Sequence, residues 1–283
     1  MISYPNVKVN LGLSVLRKRP DGYHDLETLF IPYFDIHDTL EIITGEDFSR
    51  TSASLFERYS NIRQAIREDG KVMVTIAKAG GVDWDPLEDL TVKAYGLLDE
   101  EFGLPPVKIF LEKTAPVGAG LGGGSADAAF ALRMLSELFA LGLDDAALAA
   151  RASRLGSDCA FFVYNRPMFG SGRGEVLEPC GIDLSHYVLQ VSVPEGVSVG
   201  TADAYRGIVP RDAAGGRALP LRKALARPVA EWRDCLVNDF EATVFAKYPA
   251  ISGAKQALYD AGAIYASMSG SGSAVFGLFP RQT

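Results

Sequence analysis

The run Pro116-Val117-Gly118-Ala119-Gly120-Leu121-Gly122-Gly123-Gly124-Ser125-Ala126-Asp127-Ala128-Ala129 is the strongest signal in the chain. Glycine lets the backbone take positive φ and come close to a ligand. An Ala- and Leu-rich stretch follows, and its composition predicts a helix over Ala126 to Leu141. The N–H groups of a first helical turn lack intrahelical acceptors and attract an anion. Ser125 adds a hydroxyl where it can bond a phosphate or a magnesium ion, and Ala126, Ala128 and Ala129 let the helix pack closely behind. The run therefore reads as a phosphate loop; the plainer alternative is a tight glycine-rich connection.

Two named phosphate motifs fit it incompletely. Gly118, Gly120 and Gly123 satisfy G-x-G-x-x-G behind a predicted strand. A dinucleotide fold would end its next strand on an acid about 20 residues later. Here Asp144 and Asp145 stand at that distance and open a helix instead. The Walker A pattern runs from Gly118 to Ser125, but Gly124 stands in place of its lysine.

Around the loop, alternation and turn residues predict a mixed α+β protein of two lobes, with sheets packed against helices. Strands are expected at Val7 to Leu16, across an extended stretch from Leu26 to Ile43, and at Val72 to Ala77 and Val107 to Glu112. The first two read as a long antiparallel pair around the Asp21-Gly22 turn. Helices are expected at Thr91 to Phe102, Asp144 to Leu155, Val229 to Phe245 and Ile251 to Ala261. Cys159 to Tyr164 reads as an apolar strand, with further strands at Tyr187 to Val193 and Ala274 to Phe279. Asp47 to Gly70 is polar and partly helical in pattern. Glycine and proline become frequent after Arg166, which divides the chain into expected domains of 1–165 and 166–283.

The 283 residues, 48% of them hydrophobic, suffice for such cores. A net charge of −7 argues against a broad nucleic-acid surface. Three cysteines without a C-x-x-C pair argue against a disulfide framework and for a reducing cytoplasm. The start, MISYPNVKVNLGLSV, has neither the basic region nor the long apolar core of a secretory leader, and no run is long enough to span a membrane.

Lys8 and Asn10 share one face of the first strand, between Val7, Val9 and Leu11. On pattern alone this is a half-exposed strand with a solvated polar face. Arg19-Pro20-Asp21-Gly22-Tyr23-His24 is a tight turn that presents an aromatic ring and an imidazole. No other His or Cys is spaced to make His24 a metal ligand. Gly156-Ser157-Asp158 places a carboxylate at the mouth of the apolar run.

Residues 116 to 129 resemble P-x-G-x-G-L-G-[GS]-[GS]-S-[AS]-x-A, the phosphate motif of the GHMP kinases, and on that basis the chain is identified as a member. The first strand resembles the family's A-K-[IVL]-N-L, with Val7 for the alanine. Met268-Ser269-Gly270-Ser271-Gly272 resembles its third motif, M-[ST]-G-[ST]-G, and Asn238-Asp239-Phe240-Glu241 its N-D-[FL]-E run. The resemblance implies an ATP-dependent, Mg²⁺-dependent kinase that phosphorylates an alcohol. It implies ATP phosphates on Pro116, Val117, Gly118, Ala119, Gly120, Leu121, Gly122, Gly123, Gly124, Ser125 and Ala126, and Lys8 and Asp158 as catalytic residues.

R-x-D-G-Y-H is characteristic of a branch of the family whose small-molecule substrate carries a cytidyl diphosphate. Gly196-Val197-Ser198-Val199-Gly200-Thr201 to Tyr205 resembles a segment of the same enzymes. The resemblance implies that Asn10, Tyr23, His24, Thr201 and Tyr205 bind this substrate, with Tyr23 and Tyr205 sandwiching the base. Two further positions depart from the pattern: Asp89 and Asp127 stand where the family has asparagine. So near a phosphate, Asp127 would repel the ligand or help hold magnesium. The rivals are a homoserine or mevalonate type of the same family, a nicotinamide-dependent oxidoreductase, and a non-catalytic nucleotide-binding protein.

Overall fold

Val72, Val74 and Ile76 stand at every second position, as do Val107, Ile109 and Leu111, and all six are buried. In the computed structural model, which describes residues 1–45, 47–212 and 219–281, these become the parallel strands Val72–Lys78 and Val107–Lys113. Parallel neighbours need a crossover. The helix Leu90–Phe102 lies in that connection, capped by the Asp89 carboxylate at its start and by Gly103 at φ +64° at its end. Thr39–Thr44 pairs antiparallel with the other side of Val107–Lys113, in register Thr39 to Glu112. Ile2–Ser3 and Arg63–Ile66 complete a five-stranded sheet.

This sheet belongs to the first of two compact units, formed by residues 1–7, 34–116 and 122–165. The second comprises residues 8–33, 117–121 and 166–283. Its four-stranded sheet runs in the order Asn6–Lys18, His24–His37, Met168–Ser171, Val176–Pro179. Its three-stranded antiparallel sheet places Val275–Pro280 between Tyr187–Ser192 and Tyr265–Met268. The second unit buries a core that includes Leu13, Val15, Phe240, Ile251, Met268 and Val275.

Three expectations are corrected. Cys159–Tyr164 is a helix, ended by Asn165 in the left-handed region. Five of its six residues are buried, so the sequence carries no period to separate strand from buried helix. It packs on the helices Gly123–Leu138 and Asp145–Leu155, within the first unit.

The single helix expected over Val229 to Phe245 is broken between Trp232–Cys235 and Glu241–Lys247. The intervening backbone bonds the first long strand instead: Leu13 donates to Val237 and Asp239 donates to Leu13. Asn238 turns its amide onto the carbonyls of Met268 and Gly270.

The extended stretch from Leu26 to Ile43 is two strands, His24–His37 and Thr39–Thr44, in different sheets. Buried Asp38 lies at the break and accepts from the Thr114 and Ala115 amides. The polar stretch after Asp47 forms the helix Ser52–Arg58 and the edge strand Arg63–Ile66.

Candidate active site

Within the second unit, the loop residues Val117–Leu121 are bonded to the first long strand and to the turn after Met268. Gly120 takes φ +75°, and a Cβ there would stand 2.2 Å from the Ser269 carbonyl oxygen. Only glycine fits such an approach of backbone to backbone. The Leu121 carbonyl accepts the Lys8 amide at 2.9 Å, and the Ala119 carbonyl accepts the Ala274 amide at 3.0 Å. The Gly120 carbonyl receives the Lys8 ammonium at 2.9 Å and the Ser269 hydroxyl at 2.9 Å. The Met268–Ser273 turn therefore holds the loop's backbone.

The polar face of the first strand is buried rather than solvated: Lys8 and Asn10 are each 3% exposed. Lys8 Nζ donates to Asn10 Oδ1 at 2.5 Å and lies 5.6 Å from the Phe30 ring centroid. Asn10 Nδ2 donates to Thr28, whose hydroxyl donates to the Gly12 carbonyl. Alternation in a strand put both residues on one face; the loop and the turn then cover that face. The ammonium is held by this network.

The rest of the loop lies in the first unit. The helix Gly123–Leu138 starts on glycines, and its first backbone bond runs from Ala126 to the Gly122 carbonyl. The preceding N–H groups, with Gly124 exposed and Ser125 half-buried, offer the positive end of a helix of 16 residues. An anionic phosphate fits such donors.

Asp158 is half-buried and immediately precedes the Cys159–Tyr164 helix. Its segment lies against the loop helix: a Cβ on Gly156 would stand 3.9 Å from Ser125 Oγ and 3.1 Å from Cys159 Sγ. Burial pushes the Cys159 thiol up to about 12, while a hydrogen bond with Ser125 acts in the opposite sense. The structure thus brings Ser125 and the Asp158 segment together.

In the second unit, the Arg19 to Tyr23 turn closes with Tyr23 accepting from the Arg19 amide at 2.7 Å and Gly22 at φ +87°. His24 follows and stacks on Tyr205, with centroids 4.7 Å apart and planes 20° apart. Tyr205 meets Phe240 edge-on. Burial, with a smaller contribution from Lys18, lowers the His24 pKa. Tyr23 is 57% exposed, with the Arg173 guanidinium 4.9 Å over its ring. The ring stacked on Tyr205 is therefore His24. Thr201 is exposed at the start of the short Thr201–Tyr205 helix.

Sequence reasoning missed a buried charge group in the first unit. Lys113 Nζ bonds both Asp38 and Asp127. Asp127 is 1% exposed and turned onto this lysine, so burial and the hydrogen bond from Lys113 account for its side chain. The one signal available was a lysine ending a strand with buried Val107, Ile109 and Leu111. Asp89 caps its helix through the Thr91 amide and also accepts from the Trp84 indole. Arg173 was missed too, because nothing local ties it to Tyr23.

Comparison with known proteins agrees with this geometry. Residues 89–166 match the GHMP kinases N terminal domain, and residues 221–283 match the GHMP kinases C terminal domain. A 4-diphosphocytidyl-2-C-methyl-D-erythritol kinase of Bacteroides fragilis is 46% identical over 280 residues, 99% of this chain and 92% of that protein. The protein of the same name from Cytophaga hutchinsonii is 42% identical over the same shares of both chains. A crystal structure of 4-(cytidine 5'-diphospho)-2C-methyl-D-erythritol kinase superposes with a TM-score of 0.72 at 33% identity, covering 98% of this chain and 90% of that one. A mevalonate kinase shares the fold, with a TM-score of 0.65 at 11% identity over 99% of this chain and 91% of that one. With both domains matched and curated relatives up to 46% identical over 99% of its length, the chain belongs to the GHMP kinases.

Proposed function

We propose that this chain transfers the γ-phosphoryl group of ATP to the 2-hydroxyl of 4-diphosphocytidyl-2-C-methyl-D-erythritol, a step of the non-mevalonate route to isoprenoids. The observation that carries the choice of acceptor is the His24–Tyr205 stack, built on the Arg19 to Tyr23 turn in the unit that also buries Lys8. Full-length relatives of that name support it. A homoserine or mevalonate type leaves this aromatic and imidazole group without a task.

In this reading, Pro116 to Ala126 hold the ATP phosphates, with backbone N–H groups of Gly123 to Ser125 as donors. The Ser125 hydroxyl would be the protein ligand for Mg²⁺, whose charge would shield the phosphates. Asn10, Tyr23, His24, Thr201 and Tyr205 hold the cytidyl diphosphate. A pyrimidine stacks on an aromatic face, and a neutral imidazole donates and accepts along its edge.

The substrate's 2-oxygen attacks the γ-phosphorus, the bond to the β-bridging oxygen breaks, and ADP leaves with that electron pair. Asp158 accepts the hydroxyl proton and passes it to water. Lys8 stabilises the charge on the reacting oxygens. Such chemistry rests chiefly on positioning and charge stabilisation.

Residues 1–165 form the ATP-binding domain in this assignment and 166–283 the C-terminal domain. We place the protein in the cytoplasm: its three cysteines are free, and among the described residues no helix is long and apolar enough to cross a membrane. The test is turnover with Mg-ATP and the cytidyl substrate, homoserine or mevalonate, followed by ADP release and product mass. ADP and a product one phosphoryl group heavier, with the cytidyl substrate alone, are expected. Transfer to homoserine or mevalonate in its place would remove the assignment of Tyr23 and His24.

A further inference from the structure

Three ionisable side chains meet inside the first unit: Asp38 at 0% exposure, Asp127 at 1% and Lys113 at 5%. They belong to three elements. Asp38 follows the strand His24–His37, Lys113 ends the strand Val107–Lys113, and Asp127 stands just past the first turn of the helix Gly123–Leu138. Asp38 Oδ1 accepts the Thr114 amide at 2.7 Å and the Ala115 amide at 2.8 Å, and its Oδ2 accepts Lys113 Nζ. Lys113 Nζ also donates to Asp127 Oδ2 at 2.6 Å. The ammonium thus ties the strand that leads into the glycine-rich run to the helix that leaves it. The helix start rests on the group so closely that a Cβ on Gly123 would meet Lys113 Nζ at 3.4 Å and the Ala115 Cβ at 3.4 Å.

Stability alone is a poor reason for such a group. Well-packed apolar residues commonly serve at least as well as a buried ion pair. What the ions add is direction: two hydrogen-bonded elements in fixed register at the point where donors must aim at a ligand.

Resting on the kinase reading above, we infer that Asp38, Lys113 and Asp127 are positioning residues that hold the start of the Gly123–Leu138 helix in place for the nucleotide phosphates. The charge balance supports this. One ammonium neutralises one carboxylate. Asp38 receives three donors and Asp127 one, and Asp127 Oδ1 is buried without a hydrogen-bond partner among the described residues. The odd proton therefore sits on Asp127, whose carboxyl burial pushes well above the usual range, with Asp38 and Asp89 adding to the rise and Lys113 opposing it. The group is then neutral overall and leaves the positive end of the helix uncancelled for an anion.

The test is calorimetric binding of Mg-ADP and of CDP to wild type and Lys113→Met. Lys113→Met should weaken Mg-ADP about tenfold or more, which is about 1.4 kcal/mol, and leave CDP binding unchanged. A general loosening of the protein would weaken both. If Lys113→Met does not melt cooperatively, Lys113→Met/Asp38→Asn replaces it, because removing both members of the ion pair leaves no charge stranded, and the asparagine oxygen can still accept the Thr114 and Ala115 amides. The same loss of Mg-ADP affinity is expected there. Wild-type Mg-ADP affinity in either folded variant would overturn the inference. So would failure of both to fold, which would make the group a requirement of the fold alone. A wild type that binds neither ligand would instead sink the kinase reading itself.

Discussion

Gly120→Ala isolates the role of the loop backbone with a single methyl group. Gly120 sits at φ +75°, where an alanine is strained by about 1–2 kcal/mol. Its Cβ would also stand 2.2 Å from the Ser269 carbonyl oxygen and 3.1 Å from the Gly272 amide nitrogen. A carbon and a carbonyl oxygen rest at about 3.3 Å or more, so the loop or the turn must move by roughly 1 Å. Both neighbours are backbone, so no side-chain rotation relieves the contact. The Gly120 carbonyl is also the acceptor for Lys8 Nζ and Ser269 Oγ, so the displacement reaches the ammonium. A misplacement of that size lowers kcat/KM on the order of 100-fold. Steady-state ADP release at saturating acceptor, with thermal melting alongside, reads both effects. Gly253→Ala is the control: Gly253 lies in the Pro249–Asp260 helix with open space around it, and alanine there should stabilise by about 0.5–1 kcal/mol. Activity of Gly120→Ala within threefold of wild type would refute the reasoning.

Asp158→Asn keeps the shape of the side chain and removes the proton acceptor. A fall in kcat of about 10²–10⁴-fold with both KM values little changed is expected in steady-state kinetics, and unchanged turnover would remove Asp158 from the chemistry. Tyr205→Ala takes away the ring stacked on His24. KM for the cytidyl substrate should rise about 10- to 100-fold, from a stacking contribution of about 1–3 kcal/mol, while KM for ATP stays within twofold. Asp127→Asn tests the buried proton through stability. The folded-state pKa of Asp127 is raised, so the native state binds more protons than the unfolded state above the ordinary carboxylate range, and wild type loses stability as pH rises from about 4. The variant lacks that loss, so its melting temperature should gain on wild type between pH 5 and pH 8. A difference independent of pH would contradict this.

How far the site was legible depended on how local its causes are. The glycine-rich loop announces itself because Gly118, Gly120 and Gly122 each answer a demand for positive φ at their own positions. Lys8 and Asn10 were legible as a pair, since alternation puts them on one face. Their burial was not, because the cover comes from residues far along the chain: Gly120 is 112 positions from Lys8, and Ser269 is 259 from Asn10. Asp38 and Lys113, 75 positions apart, are invisible as partners for the same reason. Cys159–Tyr164 defeated the reading differently. A short run buried on every side has no polar face, and period is the only sign that separates strand from helix. The break near Asn238 was concealed because residues 229–245 read as one helix until the first strand claims their backbone.

The central claim is that this chain places a phosphoryl group on the 2-hydroxyl of its substrate, and proton-coupled phosphorus NMR of the product tests it most directly. The 2-carbon carries a methyl group and two carbon chains and has no hydrogen, so a phosphate on its oxygen has no proton three bonds away. The account requires a new phosphomonoester signal that is a singlet in the coupled spectrum, beside the unchanged diphosphate pair. A doublet or a triplet would place the phosphate on the 3- or 1-oxygen, and no new signal would mean no transfer. Each of these would contradict the account.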